Sequence, residues 1–418
     1  MSTVIIRPRP LRGRVTPPPS KSMAHRMIIC AALAEGTSTI ENLAFSQDIE
    51  ATLGCMEALG ATWAKVDDST ITITGIGGRP AVEWEELPRF DCGESGSTLR
   101  FLIPIALAVA GGGVFTGRGR LMERPQEPYF RLFEEKGVWY ERKDGTLTIR
   151  GKLEAGEYRL PGNVSSQFFT GLLFALPLVG GTSRIVPTTH LESWDYIAMT
   201  MDAQKQAGVS VEVLEQEGGQ GKILVTKVQP YRGFTGRVET DWSQAAFWYA
   251  ANFLDNQVTI EDLNPQSGQG DMRIASHYWQ LARPGDTEID VSQCPDLVPP
   301  LAAMAALRNG TTKIANAARL RIKESDRLAT VTATLNVLGA QVEEYPDHLI
   351  IRGLDCLAGG VAVDCCNDHR IAMMAAVAAT KCTQPITLLG AECVRKSYPN
   401  FWEHYRMLGG DLDVLVSG

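Results

Sequence analysis

Residues 318–328 read Ala-Arg-Leu-Arg-Ile-Lys-Glu-Ser-Asp-Arg-Leu, a stretch in which cations and carboxylates alternate. Arginine presents a planar fork of donors that matches phosphate and carboxylate, so the run is equipped to grip an anion. A carboxylate among those cations can take or give a proton. On a helix, Lys323 and Glu324 would both lie within one turn of Arg327. A solvated, salt-bridged helix face would explain a charge run by itself. The run, however, follows an apolar, Ala-rich segment, and stretches of similar chemistry stand at matching places elsewhere in the chain.

Those stretches are Lys21-Ser22-x-x-His25-Arg26, Gly93-Glu94-Ser95-Gly96 followed by Arg100, Ser165-Ser166-Gln167, Pro295-Asp296, Asp368-His369-Arg370 and Arg395-Lys396-Ser397, with Arg124 nearby in sequence to the second. The apolar helices that follow the lead-ins each begin with Ser, Gly, Asn or Asp there, the residue types that cap helices. Free N–H groups and partial positive charge gather at such helix starts, which suits anions. Capping explains one such lead-in. It does not explain the added Lys, Arg, hydroxyl and amide groups at several. Asp296 after Pro295 reads equally as a helix cap and as a base. The joint inventory suits two small polyanions held together, with Asp296 and Glu324 available to move protons.

Other chemistries find little support. The net charge of −8 argues against general binding to nucleic acid or anionic membranes, so cations for an anionic substrate must be gathered locally. The GxxxxGK[ST] pattern is absent, as are a strand-GxGxxG-helix unit with a downstream acid and a nucleophile elbow. Nine cysteines, without paired spacing, imply reduced thiols and a cytoplasmic setting. Cys365-Cys366 with His369 lacks a second ligand pair, so no metal is expected. The N-terminus has no signal-peptide core, and the apolar run of residues 101–115 holds Pro104 and three glycines and is too short to span a bilayer.

These motifs need elements to position them, and the chain supplies a repeat. At 418 residues two domains are expected. A unit of about 70 residues recurs six times: a polar lead-in, an apolar helix, a Gly and a β-rich strand, an amphipathic helix ending near Gly, and closing strands. Lead-ins stand near Lys21, Gly93, Asn163, Asp241, Asp296 and Asp368, and the fourth unit is short. Second helices are expected near residues 47–59, 127–136 and 193–207, with another carrying the charged stretch. The sixth unit runs out of chain, so the strand of residues 3–7 is expected to complete it. Six αβαβ-type units fit an α/β fold of two similar domains: residues 14–232, and residues 1–13 plus 233–418. Trp242, Trp248 and Trp279 are expected in the core.

Taken together, Lys21-Ser22-x-x-x-Arg26, Gly96 with Arg100, Glu123-Arg124-Pro125, Val164-Ser165-Ser166-Gln167, Pro295-Asp296, Arg321-x-Lys323-Glu324-Ser325-Asp326-Arg327, Asp368-His369-Arg370 and Lys396-Ser397-x-Pro399 resemble the 5-enolpyruvylshikimate-3-phosphate synthases of the enolpyruvyl transferase superfamily. The resemblance runs through essentially the whole chain. It implies an inside-out α/β barrel fold, two similar domains of three βαβαββ units each, with the active site in the interdomain cleft. It implies transfer of the enolpyruvyl group of phosphoenolpyruvate to the 5-hydroxyl of shikimate 3-phosphate, through a tetrahedral ketal phosphate, with no metal or organic cofactor. Lys21, Ser22, Arg26, Ser165, Ser166, Ser193, Tyr196 and Lys323 would contact shikimate 3-phosphate, and Gln167 both substrates. Lys21, Arg124, Arg327, Arg370 and Lys396 would hold phosphoenolpyruvate, with Gly96 leaving room beside them. Asp296 would take the hydroxyl proton and also touch shikimate 3-phosphate; Glu324, with Lys21, would protonate the methylene carbon. A monomer with small-molecule partners is implied. Glu94 departs from the family's usual Asn and puts an acid beside a dianionic substrate, unless Arg100 or Lys21 pairs with it. The rival readings are transfer to UDP-N-acetylglucosamine and a non-catalytic ligand-binding relative.

Overall fold

The computed structural model describes residues 2–78, 86–216 and 221–416. The chain divides into two compact units, residues 19–239 and residues 1–18 plus 240–418. The breaks fall a few residues beyond those expected from sequence, for a reason visible in strand pairing. Strand Arg12–Val15 lies parallel to Gln257–Ile260, which keeps it with the C-terminal unit. Strand Thr235–Arg237 lies parallel to Thr37–Glu41, which keeps it with the N-terminal unit.

Among the described residues there are five four-stranded sheets and one two-stranded sheet. The four-stranded sheets share one pattern. In one of them Arg89–Asp91 pairs parallel to Gly112–Thr116, which pairs antiparallel to Thr146–Arg150, which pairs antiparallel to Trp139–Lys143. The sequence dictates this locally. Thr146–Arg150 buries Leu147 and Ile149 and leaves Arg150 exposed, the period-two alternation of a strand with one covered face. Positive-φ Gly137, at φ +68°, ends the helix Glu127–Lys136 in a conformation that glycine adopts without strain.

The sixth sheet is completed from the far end of the chain. Strand Ser2–Arg7 lies between Ile386–Leu389 and Asp411–Val416, antiparallel to both, and takes the fourth strand's place. The short fourth unit keeps helix Trp242–Phe253, strand Gln257–Ile260 and helix Ile274–Leu281 and passes to Thr287–Asp290 without a closing strand pair. That trimming corrects one expectation. Trp242 and Trp248 are buried, but Trp279 is 70% exposed. The second helices Gln47–Ala58 and Arg327–Val337 pack on a third strand of their own unit. The helix bearing Trp279 has no such strand to cover it.

Six apolar helices, one per unit, fill the two cores: Lys21–Leu33, Gly96–Ala110, Ser166–Ala175 in the N-terminal unit, and Trp242–Phe253, Val298–Ala305, His369–Ala378 in the C-terminal one. They are buried nearly all round, which fits their small and aliphatic composition. Their starts carry the polar lead-ins. Among the described residues no helix is long and apolar enough to cross a membrane.

Candidate active site

In the N-terminal unit the lead-ins cap as their residue types require. Ser20 accepts from Met23 N at 3.3 Å, Ser95 from Thr98 N at 3.2 Å and Ser165 from Gln167 N at 3.3 Å. Each cap contributes about 1 kcal/mol to its helix. The remaining polar groups are engaged with one another. Lys21 Nζ lies 2.7 Å from Asp48 Oδ2. Arg26 is buried; its guanidinium donates to Thr200 Oγ1 at 2.9 Å, to the Ser22 carbonyl at 2.6 Å and to the Tyr196 carbonyl at 2.9 Å. Burial lowers its basicity to about 10, which leaves it charged at neutral pH. Arg26 thus ties Ser22 to the start of the helix Trp194–Gln206, which carries Tyr196 behind Ser193. Ser193 itself adopts the left-handed region at φ 54°.

Arg100 joins the second and third lead-ins. It donates to Gln167 Oε1 at 2.8 Å and to the Pro125 carbonyl at 2.9 Å, and it stacks over Phe168. Gln167 Nε2 in turn donates to Ser97 Oγ at 2.9 Å. Gly96 has a physical reason to be glycine: a Cβ there would lie 2.4 Å from Arg124 Nη1. The Arg124 guanidinium occupies the space a side chain would take. Arg118, bound to Asp91 at 2.9 Å, is held protonated mainly by that hydrogen bond and more weakly by the charge of Glu94.

The C-terminal unit gathers the other half of the inventory. Asp296 sits in the short helix Pro295–Leu297 just ahead of Val298–Ala305. Its Oδ1 receives Lys323 Nζ at 3.2 Å and Arg327 Nη1 at 3.0 Å, and its Oδ2 receives Arg370 Nη2 at 3.2 Å. Burial would push this carboxyl up, but the charges of Arg370, Lys323 and Arg327 outweigh burial and hold it well below the usual carboxylate range. Arg327, 1% exposed, also donates to Glu324 Oε2 at 2.7 Å and to Asp368 Oδ2 at 2.8 Å. Asp368 caps the helix His369–Ala378, accepts from Ser325 Oγ at 2.9 Å, and is likewise held ionised chiefly by Arg327 against its burial. Arg370 reaches Ser243 Oγ at 2.7 Å, and Lys396 Nζ donates to the Asn367 carbonyl at 2.6 Å.

The charged stretch is not a helix. A short 3₁₀ turn, Ala318–Ile322, is followed by an extended Lys323, and the helix begins only at Arg327, capped by Asp326. Arg321 explains the break. It donates to Asp326, Glu344 and the carbonyls of Tyr345 and Pro346, and so pulls the loop toward the neighbouring strand turn. From this arrangement Lys323 and Arg327 both reach Asp296, and Glu324 binds Arg327.

Within the C-terminal unit the structure therefore brings Asp296, Lys323, Glu324, Arg327 and Arg370 together. In the N-terminal unit it joins Ser22, Arg26 and Tyr196 in one cluster, pairs Lys21 with Asp48, and sets Gly96 against Arg124; the Arg100–Gln167–Ser97 chain runs from the same turn. Sequence reasoning passed over Asp48 and the partnering role of Asp368. Asp48 had a weak signal, an acid in the first turn of a second helix. Asp368 stands out in the sequence only as part of its own lead-in.

The chain is similar to known proteins along its length. Residues 5–405 match the profile of the family EPSP synthase (3-phosphoshikimate 1-carboxyvinyltransferase). A 3-phosphoshikimate 1-carboxyvinyltransferase of Clostridium kluyveri is 45% identical, with 100% of both chains covered. One of Clostridium acetobutylicum is also 45% identical, over 99% of this chain and 98% of the relative. The solved EPSP synthase of Acinetobacter baumannii superposes with a TM-score of 0.79 at 25% identity, covering 100% of each chain.

Proposed function

Because the chain belongs to the EPSP synthase family, we propose that it moves the carboxyvinyl group of phosphoenolpyruvate onto the 5-hydroxyl of shikimate 3-phosphate and releases phosphate. The observation that carries the mechanism is Asp296, ionised and ringed by Lys323, Arg327 and Arg370. So surrounded, the carboxylate is a poor base. When the anions of phosphoenolpyruvate engage Arg327 and Arg370, positive charge is drawn away from Asp296 and its proton affinity rises. The base is thus strengthened by the substrate it acts with.

Asp296 then takes the proton of the 5-hydroxyl while the oxygen attacks the enol carbon. Glu324, with Lys21, delivers a proton to the methylene carbon, giving the tetrahedral ketal. Return of a methyl proton and departure of phosphate restore the vinyl group. Arg124, Arg327, Arg370, Lys396 and Lys21 stabilise charge on the phosphoenolpyruvate phosphate and carboxylate. Gly96 keeps space for Arg124. Ser22, Arg26, Ser165, Ser166, Ser193, Tyr196 and Lys323 hold shikimate 3-phosphate, and Gln167 serves both substrates. All nine cysteines are free, which supports action in a reducing, cytoplasmic compartment; we take the acting species to be a monomer.

Phosphate release from phosphoenolpyruvate by the purified protein tests this reading, with shikimate 3-phosphate as acceptor and UDP-N-acetylglucosamine as control. Release that depends on shikimate 3-phosphate is expected. Release only with the sugar nucleotide, or with neither acceptor in a folded sample, overturns it. Asp296→Ala is expected to abolish turnover while shikimate 3-phosphate still binds; normal turnover in that variant removes Asp296 from the role.

A further inference from the structure

One buried polar chain in the N-terminal unit takes no part in the steps above. His25 is 1% exposed and sits one helical turn after Lys21. Its Nδ1 lies 2.7 Å from Thr52 Oγ1, which lies 2.7 Å from Thr98 Oγ1, which lies 2.7 Å from Ser95 Oγ. Thr52 and Thr98 are fully buried and Ser95 is 1% exposed. Three segments are joined in this way: the first lead-in helix, the helix Gln47–Ala58, and the turn that leads into Gly96. A second rung runs beside the first, because Thr52 stands one turn after Asp48, the partner of Lys21.

Proton counting gives the chain a direction. Each hydroxyl owns one proton. Thr98 donates its own to Ser95, so it can only accept from Thr52. Thr52 then gives its proton to Thr98 at 2.7 Å in preference to the Asp48 carbonyl at 3.2 Å. His25 must therefore donate through Nδ1–H, leaving Nε2 as a bare acceptor. Nε2 is indeed buried without a hydrogen-bond partner. An unmet acceptor is more readily tolerated than an unmet N–H. Burial first, then the charges of Lys21 and Arg26, hold the ring well below its usual basicity, so it carries a single proton.

We propose that His25, Thr52 and Thr98 are positioning residues: a directed hydrogen-bond chain from the imidazole to Ser95 that sets the spacing between Lys21 and the Gly96 turn, and through Gly96 the seat of Arg124. The Arg124 guanidinium fills the space where a Cβ on Gly96 would stand, 2.4 Å from Nη1, so a shift of the turn toward it displaces the guanidinium. The link to phosphoenolpyruvate rests on the function proposed above; the protonation of the chain does not.

Two measurements separate these. Histidine ¹⁵N NMR on the wild-type protein reads the tautomer without any substrate. His25 is expected as the Nδ1–H form, still singly protonated at a pH where an ordinary histidine, near 6.5, is half charged; an Nε2–H ring, or an imidazolium at that pH, overturns the chain. Kinetics then read the positioning. Thr98→Val keeps the shape and removes the proton, and should raise KM for phosphoenolpyruvate about tenfold, the worth of one net hydrogen bond. kcat and the calorimetric affinity for shikimate 3-phosphate should stay near wild type. Thr98→Ser should restore KM, His25→Asn should outperform His25→Leu, and Thr52→Val with Thr98→Val should be no worse than either alone. An unchanged KM in Thr98→Val, equal weakening toward both substrates, or additive effects in the double variant overturn the proposal. If Thr98→Val does not fold, the tautomer and the His25 pair decide it. A wild-type protein inactive with shikimate 3-phosphate defeats the substrate reading while leaving the tautomer result standing.

Discussion

Carboxylates hold Lys21 and Arg118 in the N-terminal unit, but its two most deeply buried arginines are held differently from the buried cations of the C-terminal unit. In the N-terminal unit, Arg26 and Arg100 are held by neutral acceptors: carbonyls, a threonine hydroxyl and the Gln167 amide. In the C-terminal unit, Lys323, Arg327 and Arg370 are held by carboxylates, with Asp296, Glu324 and Asp368 woven among them. These neutral acceptors fix a guanidinium without bringing negative charge of their own. Carboxylates cancel the charge, so the second arrangement is an ion network whose members change basicity when an anion arrives.

The comparison breaks most visibly at Asp368. Asp368→Asn leaves Arg327 buried with a weaker partner, and removing one member of a buried ion pair costs about 3–5 kcal/mol. Urea unfolding is expected to show a loss of that order. The same residue sets a pH response. Asp296 and Asp368 are depressed in the fold, so their contribution is complete above the unfolded carboxyl value near 3.9 and is lost as pH falls through their lower folded values. Stability should therefore fall in acid, less steeply in Asp368→Asn; an unchanged acid profile counts against the network.

In the N-terminal unit the sharper test is Gly96→Ala. The added methyl would meet Arg124 Nη1 at 2.4 Å, so the guanidinium must move. A misplacement of about 1 Å is worth up to about a hundredfold in rate, and kcat/KM for phosphoenolpyruvate should drop toward that limit while shikimate 3-phosphate binding holds. Loss of both affinities together would mean that Gly96 shapes the whole unit. The smallest effect is expected for Asp48→Asn. The Lys21–Asp48 pair is partly solvated, with side chains 17% and 10% exposed, so stability should change by about 1 kcal/mol or less. A loss as large as that of Asp368→Asn would erase the distinction between the units.

Much of this was legible in the sequence. The repeat, the capping lead-ins, the trimmed fourth unit and the strand that closes the sixth sheet all follow from local signals, because hydrophobic period and cap chemistry act over a few residues. The recurring cations and hydroxyls at helix starts were visible for the same reason. Three features were not. The charged stretch reads as an α-helix by spacing, yet Arg321 anchors it to Glu344 and the following turn as a 3₁₀ turn, with Lys323 extended after it. Trp279 reads as core, yet the strands that would cover it are missing from its unit. The pairing of Lys21 with Asp48, and of Arg327 with Asp368, joins residues on different elements. By itself the sequence determined which elements form and which residues could meet an anion, since those depend on near neighbours. Tertiary structure alone decided which carboxylate each cation meets, because charge pairing is settled by distance in space after the helices and sheets have packed.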